Sequence, residues 1–473
     1  MQNSSKYLGR ASISRKYCTG KTPHCKNPFT AQTAANVGVV LFLGHIFIES
    51  LAYIRYFDEF CIYSASGGNA NQKHMSMNII RNLIVALLVC SGAVVSVSAQ
   101  PTVDAYRRCL EQNGENPIDY IFRLFETSDV VVLGERDHRD VTQYEFITRL
   151  LADPRFAERV GHVYTEVGVV NMTGSANRLV KTDWPTEDAF RENMLRHLRD
   201  EDYELLWEKT NRSIFLDSLW HINRRLEPSK RITIGLTDVA FDWYKVSSPY
   251  KYKKWINAHT LDAETCPPRD REMARNFLSQ YKRQKPIGGR RKALLITSQP
   301  HALSLSVKRS EGYIIRQKLG RDRVSIVCLN WFVWCRQGEY HTASRGRELI
   351  DDGRWDAAFE QTGCRSVAVS ISGTPFGECK SWYDDSGQTW QDQADGLIFY
   401  RPFYDFRCSI GVRGVLDGSC RSETMRRADI ESDGQSQSSF EDLAAYYNTE
   451  RTVRCVPDEV RDYMMRQMRK WLP

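Results

Sequence analysis

Short apolar runs rich in valine and isoleucine alternate with longer amphipathic stretches through most of the sequence after residue 100. These runs predict strands at Val130–Leu133, His162–Thr165, Ile232–Leu236, Ala293–Thr297, Val324–Leu329, Val367–Ile371 and Leu397–Tyr400. The stretches between them predict helices, among others at Thr142–Leu151, Glu187–Leu198, Tyr203–Arg225, Arg271–Tyr281 and Tyr313–Leu319. Continuous apolar strands that alternate with helices are typical of parallel sheets, whose strands are buried on both faces. The sequence therefore predicts an α/β fold with a mainly parallel sheet covered by helices on both faces.

Two segments interrupt or follow this alternation. Residues 170–230 form a long insertion between the second and third predicted strands, and we expect it to be a helical cap beside the sheet. Residues 421–439 are polar and rich in Ser, Gln and Asp, which is typical of a linker, and a final helix is predicted at about 456–471. We therefore expect one α/β domain at 100–410, followed by a linker and a short helical tail at 411–473.

An export signal is predicted at residues 75–99. Arg81 supplies the positive charge, Leu83–Val95 the apolar run, and Val97, Ser98 and Ala99 the small-residue cleavage site. The run is shorter than the roughly 20 residues of a membrane helix. We expect cleavage near Ala99 and export of a mature chain that has no stable membrane span.

Residues 1–74 precede this signal, although export signals act at the N-terminus. We therefore expect translation to start at Met75 or Met77, so that residues 1–74 are a gene-start error. The alternative is a membrane helix at Val37–Ile54 with a second one at 83–99. His45 and Glu49 would make the first of these helices costly.

Charge and cysteine content limit the classes of partner and compartment. The net charge is +7, its basic residues are scattered, and no motif of a nucleic-acid reader accompanies them, so a nucleic-acid partner is not expected. Nine of the 13 cysteines lie after residue 100. Some can pair in an oxidising compartment, the odd number leaves at least one free, and no zinc-site spacing occurs.

Polar side chains directly follow four of the predicted strands. Glu135 and His138 follow the first strand, Glu166 the second, Asp238 the third and His301 the fourth. Ligands of open parallel sheets bind outside the carboxyl ends of the strands. We therefore expect these five side chains to meet at one edge of the sheet, where a cation, a proton or an arginine must offset the repulsion between carboxylates.

Each of these residues also has a structural interpretation. Asp137 or Asp140 fits the N-cap of the helix that follows, and a single histidine after a strand is often a hydrogen-bonded loop residue. Arg269 and Asp270 open a helix just before the strand of His301, and Asp270 suits the helix dipole there. The alternative is that Arg269 reaches the acidic edge.

The motifs LGERDH, YTEVG, RDREMARN, LLITSQPHAL and QADGLIFYRPF occur in an order that resembles the erythromycin esterase/ChaN-like superfamily, which includes TraB- and TIKI-like proteins. The resemblance spans roughly residues 115–405. It implies an α/β fold with a site formed by Glu135, His138, Glu166 and His301. The sequence Ser298-Gln299-Pro300 departs from the Gly- or Ala-rich segment of the esterases, and the export signal suits ChaN-like surface proteins better. A macrolide substrate is therefore not expected.

The first functional hypothesis is a hydrolase that acts on a small molecule or a peptide. His138 would act as general base, Glu135 or Glu166 would orient it, and His301 and Arg269 would stabilise the oxyanion. A GxSxG nucleophile motif is absent from the sequence. We expect Asp238, Asp270 and Trp331 to contact the substrate, although core packing is the alternative for Trp331 and the neighbouring Phe332 and Trp334.

Three other hypotheses remain open, and the first of them uses the same residues. Glu135, His138, Glu166 and His301 suit a divalent metal ion with an open position for water. The resemblance to ChaN implies a protein that binds haem or iron instead, through axial ligands that the sequence does not identify. The last hypothesis is a scaffold whose site has decayed.

Overall fold

The computed structural model of the chain describes residues 101–205, 210–260, 267–306, 308–330, 332–334, 347–381, 387–456 and 458–473. These residues belong to one unit. Residues 1–74, the predicted export signal at 75–99, both alternative membrane helices and Trp331 lie outside the described residues. In the described ranges, no helix combines the length and the apolar character that crossing a bilayer requires.

The described strands are β1 Val130–Glu135, β2 His162–Val169, β3 Thr233–Asp238, β4 Ala293–Ser298, β5 Val324–Leu329, β6 Phe332–Trp334, β7 Arg347–Leu349, β8 Val367–Ser370, β9 Gly396–Phe399, β10 Arg407–Ile410 and β11 Arg451–Arg454. Seven of them form one sheet in the order β3-β2-β4-β1-β5-β9-β8. All pairs in this sheet are parallel except β8 with β9. The predicted α/β fold with a mainly parallel sheet is confirmed.

The helices of the described ranges are α1 Val103–Asn113, α2 Pro117–Thr127, α3 Val141–Ala152, α4 Pro154–Arg159, α5 Thr173–Lys181, α6 Glu187–Asp200, α7 Thr210–Arg224, α8 Pro249–His259, α9 Pro268–Arg283, α10 Gln299–Ala302, α11 Glu311–Leu319, α12 Arg354–Gln361, α13 Pro375–Glu378, α14 Trp390–Gln393, α15 Arg421–Glu431, α16 Phe440–Asn448 and α17 Asp458–Arg469. The predicted insertion holds α5, α6 and α7. Within it, α5 packs on β3, and α7 packs on α3.

Strand β1 lies near the middle of the sheet between β4 and β5. Its residues Val130–Leu133 are fully buried, because helices cover both faces of the sheet at this position. In the parallel register, Glu135 is the partner of Ser298 on β4, and Gly134 is the partner of Thr297. The carboxyl ends of β1 and β4 are therefore level with each other, and side chains that follow them share one edge.

Two helix predictions differ from the structure. The helix predicted from Tyr203 begins at Thr210 among the described residues, and residues 203–205 are a turn. In this turn the carbonyl of Tyr203 accepts a hydrogen bond from the Tyr252 hydroxyl at 3.1 Å. That bond comes from another part of the chain, so the local sequence pattern does not contain it.

The polar stretch 421–439, predicted to be a linker, begins with helix α15. Ion pairs stabilise this helix in place of an apolar stripe. Glu423 accepts hydrogen bonds from Arg426 at 2.7 Å and from Arg427 at 2.6 Å, and Arg427 also binds Asp200 at 2.7 Å. A prediction based on composition misses such a helix, because in the sequence its ion-paired side chains cannot be distinguished from the solvent-exposed charges of a linker.

A disulfide joins the two strands of a small antiparallel ribbon. Cys408 on β10 and Cys455 beside β11 are bonded across 47 residues of sequence. Cys109, Cys328, Cys364, Cys379 and Cys420 are free. A cross-link over a loop of this length reduces the entropy of the unfolded chain and stabilises the fold by about 4 kcal/mol in the chain-entropy model.

We expect Cys455→Ser to lower the thermal unfolding midpoint by several degrees, because the ribbon loses this cross-link. Cys420→Ser removes a free cysteine and serves as the matched control. Thermal unfolding of the two variants and the wild type, with and without reductant, tests this. The stabilising role of the disulfide would be contradicted if reductant left the wild-type midpoint unchanged and the Cys455→Ser variant unfolded at the same temperature.

Candidate active site

Three strands of the sheet and two helix starts bring the predicted polar residues together. Glu135 ends β1, Glu166 lies in the second half of β2, and Asp238 ends β3. His301 lies in the short helix α10 directly after β4, and Arg269 lies in the first turn of α9. The aligned carboxyl ends of the parallel strands place all of them at one edge of the sheet, as the sequence predicts.

The carboxylate of Glu166 is the centre of the cluster. Its Oε1 atom lies 2.9 Å from Nη2 of Arg269, 3.5 Å from Nε2 of His138 and 3.6 Å from Nε2 of His301. Its Oε2 atom accepts hydrogen bonds from the backbone N–H of Ser298 at 2.6 Å and from the Thr297 hydroxyl at 2.9 Å. One buried carboxylate thus fixes three cationic side chains and the end of β4.

An irregularity in β2 positions this carboxylate. The pairing with β3 shifts register between Thr165 and Val169, and Gly168 has a φ of +111°. A Cβ atom at Gly168 would lie 3.0 Å from Oε1 of Glu201. Nε of Arg212 holds this carboxylate in place, 2.9 Å from Oε1 and 3.0 Å from Oε2. Glycine is therefore required here by backbone conformation and by space.

His138 lies between two carboxylates. Its Nδ1 contacts Oε2 of Glu135, and its Nε2 faces Glu166. Its backbone carbonyl accepts a hydrogen bond from Nδ2 of Asn211 at 2.7 Å. Burial disfavours the imidazolium, but Glu135 and Glu166 outweigh burial and hold the pKa of His138 well above 6.5.

His301 has a similar environment. Its Nδ1 lies 2.8 Å from Oδ1 of Asp270, and its Nε2 lies 3.2 Å from Nη1 of Arg269. Burial and the positive charge of Arg269 lower the pKa of His301, whereas the carboxylates of Asp270 and Glu166 raise it. The carboxylates outweigh the other two effects, and the pKa of His301 is about 9. Near neutral pH, Glu166 therefore lies among the imidazolium groups of His138 and His301 and the guanidinium of Arg269, and its own pKa is well below the usual value despite burial.

Arg269 reaches the acidic edge, as one of its two interpretations predicts. Its Nε and Nη2 atoms donate to the two oxygens of Asp238 at 2.9 and 2.8 Å. This bidentate pair fixes the plane of the guanidinium. The carboxylates of Asp238 and Asp270 therefore bind Arg269 and His301, and their role as direct substrate contacts stays a prediction.

Exposure separates the cluster into two layers. The side chains of His138, Arg269 and His301 keep 15%, 17% and 17% of their surface exposed, while that of Glu166 keeps 2%. The carboxylates of Asp238 and Asp270 are buried as well. Cationic groups therefore face the outside of the site, and the anions that hold them lie behind.

The aspartates next to His138 do not join the cluster. Asp140 accepts a hydrogen bond from the backbone N–H of Thr142 at 2.8 Å and caps α3, as its structural interpretation predicts. It also binds Arg136 at 2.8 Å. Asp137 pairs with Arg139 at 2.9 Å.

Three residues of the cluster were not identified from the sequence: Thr297, Glu311 and Asn211. Thr297 lies one residue before the end of β4, so the strand-end argument could have included it. Glu311 is the first residue of α11 after the cap residue Ser310, where an acidic residue is expected for the helix dipole alone. Asn211 carries no local signal.

The donor set does not fit a divalent metal ion in this arrangement. The guanidinium of Arg269 lies 2.9 Å from Glu166 and 3.2 Å from His301, so it occupies the space between two of the four predicted ligands. Across the described ranges, no group of three or more His, Cys, Asp or Glu side chains is arranged to hold a metal ion. The positive charge that the carboxylates need comes from arginine and the imidazoles.

The chain is similar in structure to several solved proteins. A succinoglycan biosynthesis protein is 9% identical, with 64% of this chain and 97% of that chain covered and a TM-score of 0.43. A mutant of the erythromycin esterase EreC in its open conformation is 10% identical, with coverages of 59% and 92% and a TM-score of 0.38. ChaN of Campylobacter jejuni, with cofacial haem, is 15% identical, with coverages of 47% and 86% and a TM-score of 0.30.

No family model and no curated protein matches the sequence. The structural matches thus include an erythromycin esterase and ChaN.

We expect His301→Gln to flatten the pH dependence of stability. The pKa of His301 rises from 6.5 to about 9 on folding, so its imidazolium stabilises the fold fully below pH 6.5, and this contribution is lost as the pH rises through 9. The slope of unfolding free energy against pH in this window should fall by up to about 1.4 kcal/mol per unit. Urea denaturation across the window measures it.

The control for this measurement is His162→Gln. Burial lowers the pKa of His162, so its effect on stability appears below pH 6.5 and has the opposite sign. An equal change of slope above pH 6.5 in both variants would contradict the assignment to His301.

Proposed function

We propose that the protein is a hydrolase that cleaves a carboxylic ester in a small molecule or a peptide, with His138 as the general base. The observation that carries this proposal is the two-layered cluster, in which partly exposed His138, Arg269 and His301 stand in front of the buried Glu166. Ester hydrolysis needs a group that moves a proton and a positive surface for the oxyanion, and this cluster offers both.

In the proposed step, Nε2 of His138 takes a proton from a water molecule whose oxygen bonds to the ester carbon. Nε2 is 3.5 Å from Glu166, longer than a normal hydrogen bond, so a water molecule can compete for it. Glu135 holds Nδ1 and fixes the ring. When the tetrahedral intermediate breaks its bond to the leaving alcohol, His138 returns the proton to that oxygen.

Arg269 and protonated His301 stabilise the oxyanion of this intermediate. Both are cationic, partly exposed and fixed in place by Asp238 and Asp270 respectively. The pKa of His138 lies well above 6.5 and that of His301 is about 9. Hydrolysis therefore requires His138 without its proton and His301 with its own, and its rate is expected to rise above neutral pH as His138 loses its proton.

Export of the protein is part of the proposal. The signal pattern at 75–99 supports it, and the Cys408–Cys455 disulfide is of the kind that persists in oxidising compartments.

The experiment is a screen of nitrophenyl esters of different acyl groups with the purified protein. We expect His138→Gln and Glu166→Gln to lower kcat/KM at least about 100-fold for any ester that is cleaved, the range of general acid–base catalysis. His162→Gln is the matched control, because His162 begins β2 at the opposite edge of the sheet, and its activity should equal that of the wild type.

Two outcomes would contradict the proposal. Activity that survives in both site variants would place hydrolysis elsewhere. Absence of ester hydrolysis, together with a haem absorption band that His138→Gln or His301→Gln abolishes, would favour the haem-binding hypothesis.

A further inference from the structure

A second carboxyl group lies beneath Glu166. The side chain of Glu311, the first residue of α11, is fully buried. Its Oε2 atom lies 3.1 Å from the hydroxyl of Thr297, and the same hydroxyl lies 2.9 Å from Oε2 of Glu166. A single hydroxyl group therefore separates two buried carboxyl groups, one at the centre of the candidate site and one in the interior.

The number of protons in this chain determines its direction. A threonine hydroxyl carries one hydrogen, so Thr297 can donate to only one of the two carboxyl groups. The other carboxyl group must donate to Thr297 or face its lone pairs as an anion. Glu166 accepts from Ser298 and faces three cationic side chains, so it is the anion. Glu311 is then the acid, and the hydrogen bonds run from Glu311 to Thr297 to Glu166.

The surroundings of Glu311 agree with a neutral acid. Its Oε1 atom has no hydrogen-bond partner among the described residues, which costs less for a neutral carboxyl group than for a carboxylate. The charged groups that face it are His301 from α10, Glu166 from β2 and Asp270 from α9. Burial raises the pKa of Glu311 to about 8, with Glu166 and Asp270 adding to the effect and His301 opposing it.

We propose that Glu311 is a proton-holding residue of the site, which exchanges a proton with Glu166 through the hydroxyl of Thr297. In this exchange the Oε2–H bond of Glu311 breaks as Thr297 takes the proton, and the original hydroxyl proton of Thr297 passes to Oε2 of Glu166. The net change is one proton moved from Glu311 to Glu166, with Thr297 unchanged.

The exchange has a role in the hydrolysis proposed above, and its effect on rate rests on that proposal. When Arg269 and His301 turn their charge toward an oxyanion, Glu166 loses part of its neutralising partners. A proton from Glu311 offsets this loss without opening the site to water. Glu311 does not touch the substrate, so it acts as a positioning residue.

Glu311→Gln tests the exchange, because glutamine keeps a donor for Thr297 but has no proton to release. We expect kcat to fall about tenfold with KM nearly unchanged, less than the roughly 100-fold effect of a group that exchanges a proton directly with the substrate. Thr297→Val should have the same effect, and Thr297→Ser should restore the rate. The pH profile should also change in Glu311→Gln, because a group that titrates near pH 8 is gone.

The control is Asp356→Asn. Asp356 on α12 is another buried carboxyl group, with a pKa that burial raises to about 7, and Glu360 is the charged neighbour that adds to this shift. This variant should keep the wild-type rate and pH profile. Full kcat and an unchanged pH profile in Glu311→Gln would overturn the proposal.

A second measurement does not depend on hydrolysis. Infrared difference spectra between the wild type and Glu311→Gln at neutral pH should contain the carbonyl stretch of a protonated carboxyl group, lost on titration through about pH 8. Absence of this band would overturn the proposal whether or not the protein is a hydrolase. Its presence in a protein without esterase activity would contradict the proposed function and leave the protonation of Glu311 in place.

Discussion

The ion-pair network around Glu166 determines the arrangement of the whole sheet edge. A buried carboxylate without partners would cost several kcal/mol, so the groups that neutralise it must be present and close. Arg269 arrives from α9, His138 from the loop after β1 and His301 from α10. Each of these cations is held from behind by a second carboxylate. Removing Glu166 would therefore disturb three separate elements at once.

The balance of charge explains why so many acidic residues are tolerated in one place. Glu135, Glu166, Asp238 and Asp270 face Arg269 and two imidazoles whose pKa values are raised by these same carboxylates. The carboxylates thus keep the two histidines protonated, and the protonated histidines in turn neutralise the carboxylates. A further acidic residue there, Glu311, is accommodated as a neutral acid.

The strand pattern and the strand-end rule predicted much of this arrangement from the sequence. Parallel strands in level register bring residues that follow them to one edge, so Glu135, His138, Glu166, Asp238 and His301 could be grouped without coordinates. The rule does not assign partners. Whether Asp137 or Asp140 caps the helix that follows depends on the path of one loop, and the sequence left both possibilities open.

The contacts that the sequence did not predict come from helix packing. Asn211 binds the carbonyl of His138 across 73 residues, and Glu311 binds Asp270 through its backbone N–H across 41 residues. Such pairs depend on the angle and rotation of whole helices, which periodicity does not determine. Polar helix α15 was missed for a related reason, because its ion pairs form only once the helix is in place.

The helical insertion takes part in building the site. Asn211 at the start of α7 fixes the backbone of His138, and the next residue, Arg212, holds Glu201 against Gly168 in the irregular part of β2. The insertion thus positions the loop that carries His138 and the strand that carries Glu166, in addition to packing beside the sheet. A change in the packing of α7 would alter the separation of 3.5 Å between Nε2 of His138 and Glu166, and with it the space for a water molecule. Reactivity and the fit of the insertion are therefore coupled in this fold.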